Sequence, residues 1–455
     1  MITEMGWIII PLSVILVYKL PIKISFLFGY FVSIFTTLSV INISKLDFSF
    51  TLPYLWMLLL GIKVICKVIT KSYTINIKFN KYLMLFIVIA FISLIYPLLI
   101  GDNLKVISPN GIEEKLKFSF QNITQFMYLL YGIYVFILTT LIFNNEKISA
   151  KEIDKTITYS CLVIIILCII QILIPFELYD FFFRNDYNHA THYVNASNTI
   201  LRASGPFIEN SMLALYLTPV LSYIIITFIY NPNVVRGMCI VITTLIGLLS
   251  KSSTFILGIG VFIIVFSFIC FYMYKSHLDF FEEFFYKLKT VLNKISFKFK
   301  NDKKIKVIVI IGLGVLSVTI CLFIVMNINL LISKLLGQGE SGHLRSDNLR
   351  RNIQLFFKYP ILGIGFGSTR SGDLLSTWLS QLGIVGIGVF TMFIYSIVSS
   401  LKIFSRAFDL GMLLIIMITL SIQFTSVPEP YYLFIWIYFS ITYNSKKLVR
   451  CVNEI

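Results

Sequence analysis

Apolar residues in this chain arrive in long, unbroken runs separated by short polar stretches, and the runs have the length scale of a bilayer. A helix needs roughly 20 consecutive apolar residues to cross a hydrocarbon core. Runs of that order lie near 7–18, 24–43, 49–69, 82–100, 121–143, 158–175, 212–229, 237–249, 253–274, 307–326, 374–399, 409–424 and 431–443. The first, eighth and last are short, so the pattern predicts about 12–14 transmembrane helices. Polar and apolar positions do not alternate within the runs, which argues against a β-barrel. The predicted fold is an all-α polytopic membrane protein, with residues 1–455 forming one integral membrane domain.

Composition and charge refine this picture. Hydrophobic residues make up 57% of the chain and charged residues 13%, and a mean hydropathy of +0.87 excludes an ordinary water-soluble domain. Alternate loops back from the tail basic residues Lys446, Lys447 and Arg450 carry 23 Lys and Arg, against 13 in the opposite loops. By the positive-inside rule the richer set is cytoplasmic. The long polar stretches 176–211 and 327–373 then face outward, and 275–306 is a cytoplasmic loop. The N-terminus has no basic region before Trp7 and no small-residue cleavage site, so the first span is expected to remain uncleaved. All seven cysteines fall in spans or the tail, and no disulfide framework is expected. The net charge of +16 fits the positive-inside bias and attraction to anionic lipid headgroups. No basic soluble domain is present to bind nucleic acid.

Within the cytoplasmic loop, Phe281, Phe284, Phe285, Leu288, Leu292 and Ile295 follow helical spacing, and 278–299 is expected to rest in the membrane interface. In the second outward loop, Ser346 suits an N-cap for a helix from Asp347 to Lys358, with Leu349, Ile353 and Phe356 on one face. Asp347 and Arg351 are i,i+4 partners on the other face. Pro360 stops the helix, and Gly363, Gly365 and Gly367 make a turn after it. Arg345 then lies before the cap, and Arg350 at the edge of the apolar face.

Candidate chemistry concentrates in these loops. Arg202 and Arg345 offer forked, permanently charged donors that grip phosphate oxygens, although an arginine at a helix end also snorkels without further role. His343 is a candidate general base or a solvated bystander. Arg350 and Lys251, the latter in the tight turn Ser250–Ser253, are further candidate anion contacts. Glu209 is placed to orient an acceptor hydroxyl, take its proton or pair with an arginine. Arg351, Lys358 and Arg370 read as surface or headgroup contacts. Asp186, His189 and His192 are spaced three apart, but their polar surroundings read as loop rather than metal site, and no metal is expected. There is no Asp-x-Asp, Walker-type loop, Gly-x-Ser-x-Gly or His-Glu-x-x-His.

Three patches of about sixty residues together carry a resemblance. They are RASGPFIENSMLALYL (202–217), SKSSTFILGIG (250–260), and RSDNLRRNIQLFFKYPILGIGFG (345–367) followed by WLSQLGIVGIG (378–388). In this order and spacing the chain resembles the Wzy-type polysaccharide polymerases of the O-antigen ligase/polymerase superfamily. It departs in carrying Asn210 for a proline and Lys251 for an arginine. It also has Ser371-Gly372-Asp373 where ligases of the superfamily carry a His–Asn pair, which leaves Asp373 as a substitute candidate base. The resemblance implies a GT-C-like, metal-independent glycosyltransferase without cofactor in the bacterial inner membrane, its active site facing the periplasm. It would transfer a glycan from undecaprenyl diphosphate to the non-reducing end of a lipid-linked repeat unit. Arg202 and Arg345 would stabilise the diphosphate leaving group, assisted by Lys251 and Arg350, with Glu209 and His343 as further catalytic candidates. Lipid-linked donor and acceptor, membrane lipids, a chain-length regulator and a flippase are the partners it suggests. Tyr187, Tyr193, Phe207 and Trp378 are candidate sugar-stacking aromatics. A ligase, a lipid-linked oligosaccharide flippase and a purely structural scaffold are the competing readings. The few charges deep in spans and the two large loops favour the enzyme over the transporter.

Overall fold

The computed structural model describes residues 2–43, 48–75, 79–100, 104–107, 113–185, 203–275, 340–402 and 406–448, with 282, 286–287 and 289–290. In order, the elements are α1 (Glu4–Lys19), α2 (Ile22–Val32), β1 (Ser39–Ile43), β2 (Phe48–Thr51), α3 (Leu52–Ile69), α4 (Lys81–Ser93), α5 (Tyr96–Ile100), β3 (Lys105–Ile107), β4 (Glu113–Lys115), α6 (Phe120–Asn145), α7 (Ala150–Leu173), α8 (Phe176–Phe183), α9 (Asn210–Tyr230), α10 (Val234–Leu249), α11 (Ser253–Lys275), α12 (Glu340–Lys358), α13 (Leu374–Val398), α14 (Ala407–Thr425) and α15 (Leu433–Tyr443). Eight of the described helices are long and apolar enough to cross a membrane, and α2, α10 and α15 are shorter apolar helices. The chain is therefore a helical membrane protein. The expected span at 307–326 and nearly all of the amphipathic stretch 278–299 lie outside the described residues.

Helix α9 occupies the centre. Of its most apolar 18-residue window 89% is buried, as expected of a helix that is hydrophobic on every side, and it packs chiefly against α14. A chain of buried hydroxyls pins four helices together. Tyr30 of α2 meets Tyr438 of α15 at 2.8 Å and Tyr216 of α9 at 3.4 Å, and Ser160 of α7 meets Tyr216 at 2.6 Å. Inside a low-dielectric core these groups need one another, because no water competes for them. Lys63 of α3 uses its ammonium the same way, donating to the terminal carbonyls of Val17 (2.7 Å) and Tyr18 (2.9 Å) in α1.

Two expectations fail here. The run 24–43 is not one span. Helix α2 stops at Val32, and the Ser- and Thr-rich chain beyond it forms β1, paired antiparallel with β2 from Ile43↔Phe48 to Ser39↔Thr51. A second hairpin pairs β3 with β4, Lys105 opposite Lys115. Both hairpins lie at the end of the bundle that carries the candidate loops, called the loop end below. Thr37 donates to the Pro206 carbonyl at 2.9 Å, and the Arg370 amide donates to Ile107 O at 2.9 Å.

The second large loop also differs from expectation. Helix α12 begins at Glu340, so Ser346 lies inside it rather than capping it. Its covered side carries Asn352 and Leu355, whereas Leu349 and Ile353 are 39% and 38% exposed. Leu355 packs with Val106, Leu116 and Ile364, so the β3–β4 hairpin and the glycine turn decide which side is buried. Arg351 pairs with Glu113 of β4 at 2.7 Å rather than with Asp347.

Helix α13 is broken. Gly383 has φ 64° and ψ −168°, a left-handed conformation that glycine adopts without steric penalty. The break frees backbone groups, and the turn after α12 takes them up. Ile364 and Gly365 donate to the carbonyls of Ser380 and Gln381 at 2.8 and 3.1 Å. Ile384 and Val385 donate to Pro360 O and Ile361 O at 2.9 and 3.3 Å. Two carbonyls before the kink and two amides after it are thereby satisfied, as an apolar surrounding requires. A Cβ at Gly383 would come within 2.2 Å of Ile361 O, so the close approach itself depends on glycine.

Candidate functional site

From that joint the chain runs into Ser368–Asp373, and neighbours on three sides fix it. The Asn122 side-chain amide of α6 donates to Phe366 O and to Ser368 Oγ, each at 2.8 Å. Thr369 donates its hydroxyl to Asn352 Oδ1 at 2.9 Å, and its carbonyl accepts from Gln381 Nε2 at 2.5 Å. Asp373 caps α13, accepting from the Ser376 amide and hydroxyl at 2.7 Å each and from Ser371 Oγ at 3.1 Å. Arg370 emerges from this scaffold and pairs with Glu429.

Glu429 sits in Val427–Tyr432, the connection between α14 and α15. That connection is pinned by Gln423 Nε2 to Glu429 O (2.9 Å), Trp436 Nε1 to Pro430 O (2.8 Å) and Tyr54 OH to Tyr431 O (3.3 Å). Beside the ion pair opens a narrow cleft that is continuous with solvent, lined among others by Gln125, Arg370, Thr377, Trp378, Glu429 and Tyr431. Arg370 keeps 42% of its side chain accessible through the mouth, and Glu429 18%.

The electrostatics follow from this geometry. Glu429 holds the Arg370 guanidinium above its ordinary range, opposed by loss of water and aided by Tyr431, Tyr432 and Glu209. Burial pushes the Glu429 carboxyl above the usual carboxylate range. Arg370 pulls it back, and the negative charge of Glu209 adds to the rise. Glu209 therefore acts on both members of the pair although it begins a different helix. Its own carboxylate is exposed and accepts from Ser211 Oγ at 3.0 Å.

The structure brings some of the expected residues together. Glu209 stands at the start of α9, and its neighbour Asn210 donates to Ser250 O at 2.8 Å. This places Lys251, half-buried with φ 51°, beside the same helix end. Arg370, expected to touch only headgroups, is the arginine at the cleft. Arg350 is exposed on α12, and the structure makes no contact between it and this cleft. Arg345 and His343 lie on α12, so Arg345 does not precede a cap as expected; their side chains lie outside the described residues. Arg202, Asp186, His189, His192, Tyr187 and Tyr193 also lie outside them. Asp373 is committed to capping. Phe207 is fully buried against Tyr216 and Phe434, which makes it a core residue and not a sugar platform, whereas Trp378 does line the cleft.

Sequence reading passed over three participants. Glu429 carries the signal of a lone carboxylate held between Pro428 and Pro430 in a short connection between two spans. Gln125 carries none. Arg184 is wholly buried behind the first loop. It bonds Asp180 at 2.6 Å and Ser204 Oγ at 2.7 Å, while Gln171 Oε1 accepts from the amides of Ser204 (3.0 Å) and Gly205 (2.8 Å). This network sets the position of the chain leading from 203 to Glu209. Among the described residues no group of His, Cys, Asp and Glu is arranged to hold a metal ion.

A fixed guanidinium, two carboxylates and an adjacent lysine turn, at the end of a membrane bundle and open to solvent, can orient hydroxyl groups and accept a proton. They can also balance negative charge near a bilayer surface. No family model, curated protein or solved structure matches this chain.

Proposed function

We propose that the protein is a polysaccharide polymerase, a GT-C-like and metal-independent glycosyltransferase of the bacterial inner membrane. It transfers a growing glycan from undecaprenyl diphosphate to the non-reducing end of a lipid-linked repeat unit. One observation carries the reading. Described parts of the segments resembling the Wzy-type polymerases lie at a single end of the bundle, where Arg370 lines one solvent-open cleft and Glu209, beside the Lys251 turn, acts on it electrostatically. The Lys and Arg bias of 23 against 13 supports a periplasmic position for that end.

The physical chemistry favours this assignment. Cleaving a glycosyl diphosphate builds negative charge on the leaving group, which preorganised cations stabilise. Arg202, Arg345, Lys251 and Arg350 remain the candidates for that work. Two substrates held in one membrane plane gain further from proximity. The ligase alternative loses support at Asp373, which stands where ligases carry their His–Asn pair and is bound up in a helix cap.

The test is incubation of the purified protein with undecaprenyl-diphosphate-linked repeat units extracted from a strain lacking the gene. A ladder of products differing by one repeat is expected. Accumulation of unextended repeat on the outer leaflet of that strain is the corresponding cellular result. No ladder, with repeat units trapped on the inner leaflet, overturns the reading in favour of a flippase.

A further inference from the structure

Resting on the polymerase reading, we infer that Glu429 is the catalytic base that takes the proton from the acceptor hydroxyl, with Arg370 as its positioning residue. The geometry supplies three reasons. The first is the state of the carboxylate. One oxygen, Oε1, receives Arg370 Nη2, whereas Oε2 takes no hydrogen bond from any described residue. Glu429 lines a cleft whose mouth is open to solvent. The second reason is the company it keeps. Gln125 lines the same space, its side chain without a hydrogen bond among the described residues, and Tyr431 and Trp378 line it as well. An amide without a partner beside aromatic residues suits the edge of a sugar, which needs donors and acceptors at its rim and apolar contact below. The third is rigidity. Both neighbours of Glu429 are prolines, and its carbonyl is held by Gln423, so the carboxylate is delivered by a fixed backbone.

The reaction step balances. The acceptor O–H gives its proton to Glu429 Oε2 as its oxygen bonds to the anomeric carbon of the donor. The bond from that carbon to the diphosphate oxygen breaks, and its electron pair leaves with the polyprenyl diphosphate. The proton passes from Glu429 to water at the cleft mouth.

Among the described residues, the charged and titratable groups acting on Glu429 are Arg370 from the segment before α13, Glu209 from the start of α9, and Tyr431 from its own connection, whose ring lies 5.4 Å from that of Tyr128 in α6. Burial and Glu209 raise its proton affinity above the ordinary value of 4.5, and Arg370 opposes them. Turnover must therefore fall as the pH drops through a value above the ordinary glutamate range.

The experiment measures ladder formation by full-length, detergent-purified protein on extracted lipid-linked repeat units, across pH. Glu429→Gln is expected to lose roughly 100-fold or more in kcat, with acceptor KM little changed, and to lose the acid limb. Arg370→Gln removes the opposing cation, so its acid limb is expected to move to higher pH, a shift that a merely structural ion pair does not produce. Should Glu429→Gln fail to insert, the limb of Arg370→Gln decides the matter. Near-wild-type turnover in Glu429→Gln, or an unmoved limb in Arg370→Gln, overturns the assignment. A wild-type protein that makes no ladder refutes the polymerase reading instead, so the two failures are distinct.

Discussion

Two arginine–carboxylate pairs lie at opposite ends of this bundle, and their surroundings give them different work. Arg236 and Asp154 are 7% and 15% exposed. Asp154 has both oxygens occupied, Oδ2 by Arg236 and Oδ1 by Tyr223 OH at 3.1 Å. Arg236 also donates to Asn231 O at 2.6 Å and contacts Thr227 O at 3.4 Å. Asp154 stands 17 residues before Gln171 on α7, about 25 Å away along the helix. Arg370 and Glu429, at the loop end, keep an open side and an oxygen to spare. Identical chemistry serves as a staple in one place and as an instrument in the other. A spare carboxylate oxygen beside an open cleft separates the two roles, and the pairing itself does not.

The contrast breaks down if the wrong pair proves essential to turnover. Asp154→Asn leaves Arg236 buried without its charge partner, and losing one member of a buried pair costs about 3–5 kcal/mol. A large drop in melting temperature is expected, with turnover per folded molecule close to wild type. A loss of turnover without a loss of stability, measured on the monodisperse fraction, would show that the distant pair also serves chemistry. Gly383→Ala should have a smaller effect on stability but a sharper one on the site. That backbone conformation, φ 64° and ψ −168°, costs a non-glycine residue about 1–3 kcal/mol, and the added methyl meets Ile361 O besides. Thermal unfolding should shift down, and turnover should fall with it because Thr369 and Arg370 follow the displaced turn. Gln171→Ala comes last. It strips the acceptor from two buried amides, at about 1–3 kcal/mol for each unsatisfied group. It should weaken Glu209's influence on the Arg370–Glu429 pair, moving the acid limb of the pH profile slightly toward lower pH.

Helices bounded by polar residues were legible in the amino-acid pattern. The runs 212–229 and 409–424 appear as α9 and α14, shifted by two residues or fewer at each end. Their period is hydrophobic all round, and nothing competes with a helix. Legibility ended where backbone conformation mattered more than hydropathy. The β1 segment is nearly as apolar as a span, yet its Ser, Val, Ile and Asn pair with β2. The Gly383 break leaves length and mean hydropathy untouched, so α13 reads as one continuous span. For α12 the helical period shows two candidate faces, and Asn352 bonding Thr369 selects the one that carries fewer large apolar residues. At the site, Glu209 and the Lys251 turn were found through motif order. Glu429 escaped because its one signal, a single carboxylate between two prolines, matches no catalytic motif, and its significance arises from Arg370, 59 residues away in the chain.

The exchange of amides and carbonyls between Pro360–Gly365 and the two halves of α13 acts as a keyed joint. A slip by one residue would move the lower half by about 1.5 Å and leave several peptide groups stranded in hydrocarbon. The joint therefore has no half-open state. Arg370 lies four residues before α13, so a tilt or shift of the first half of that helix carries the guanidinium along with it.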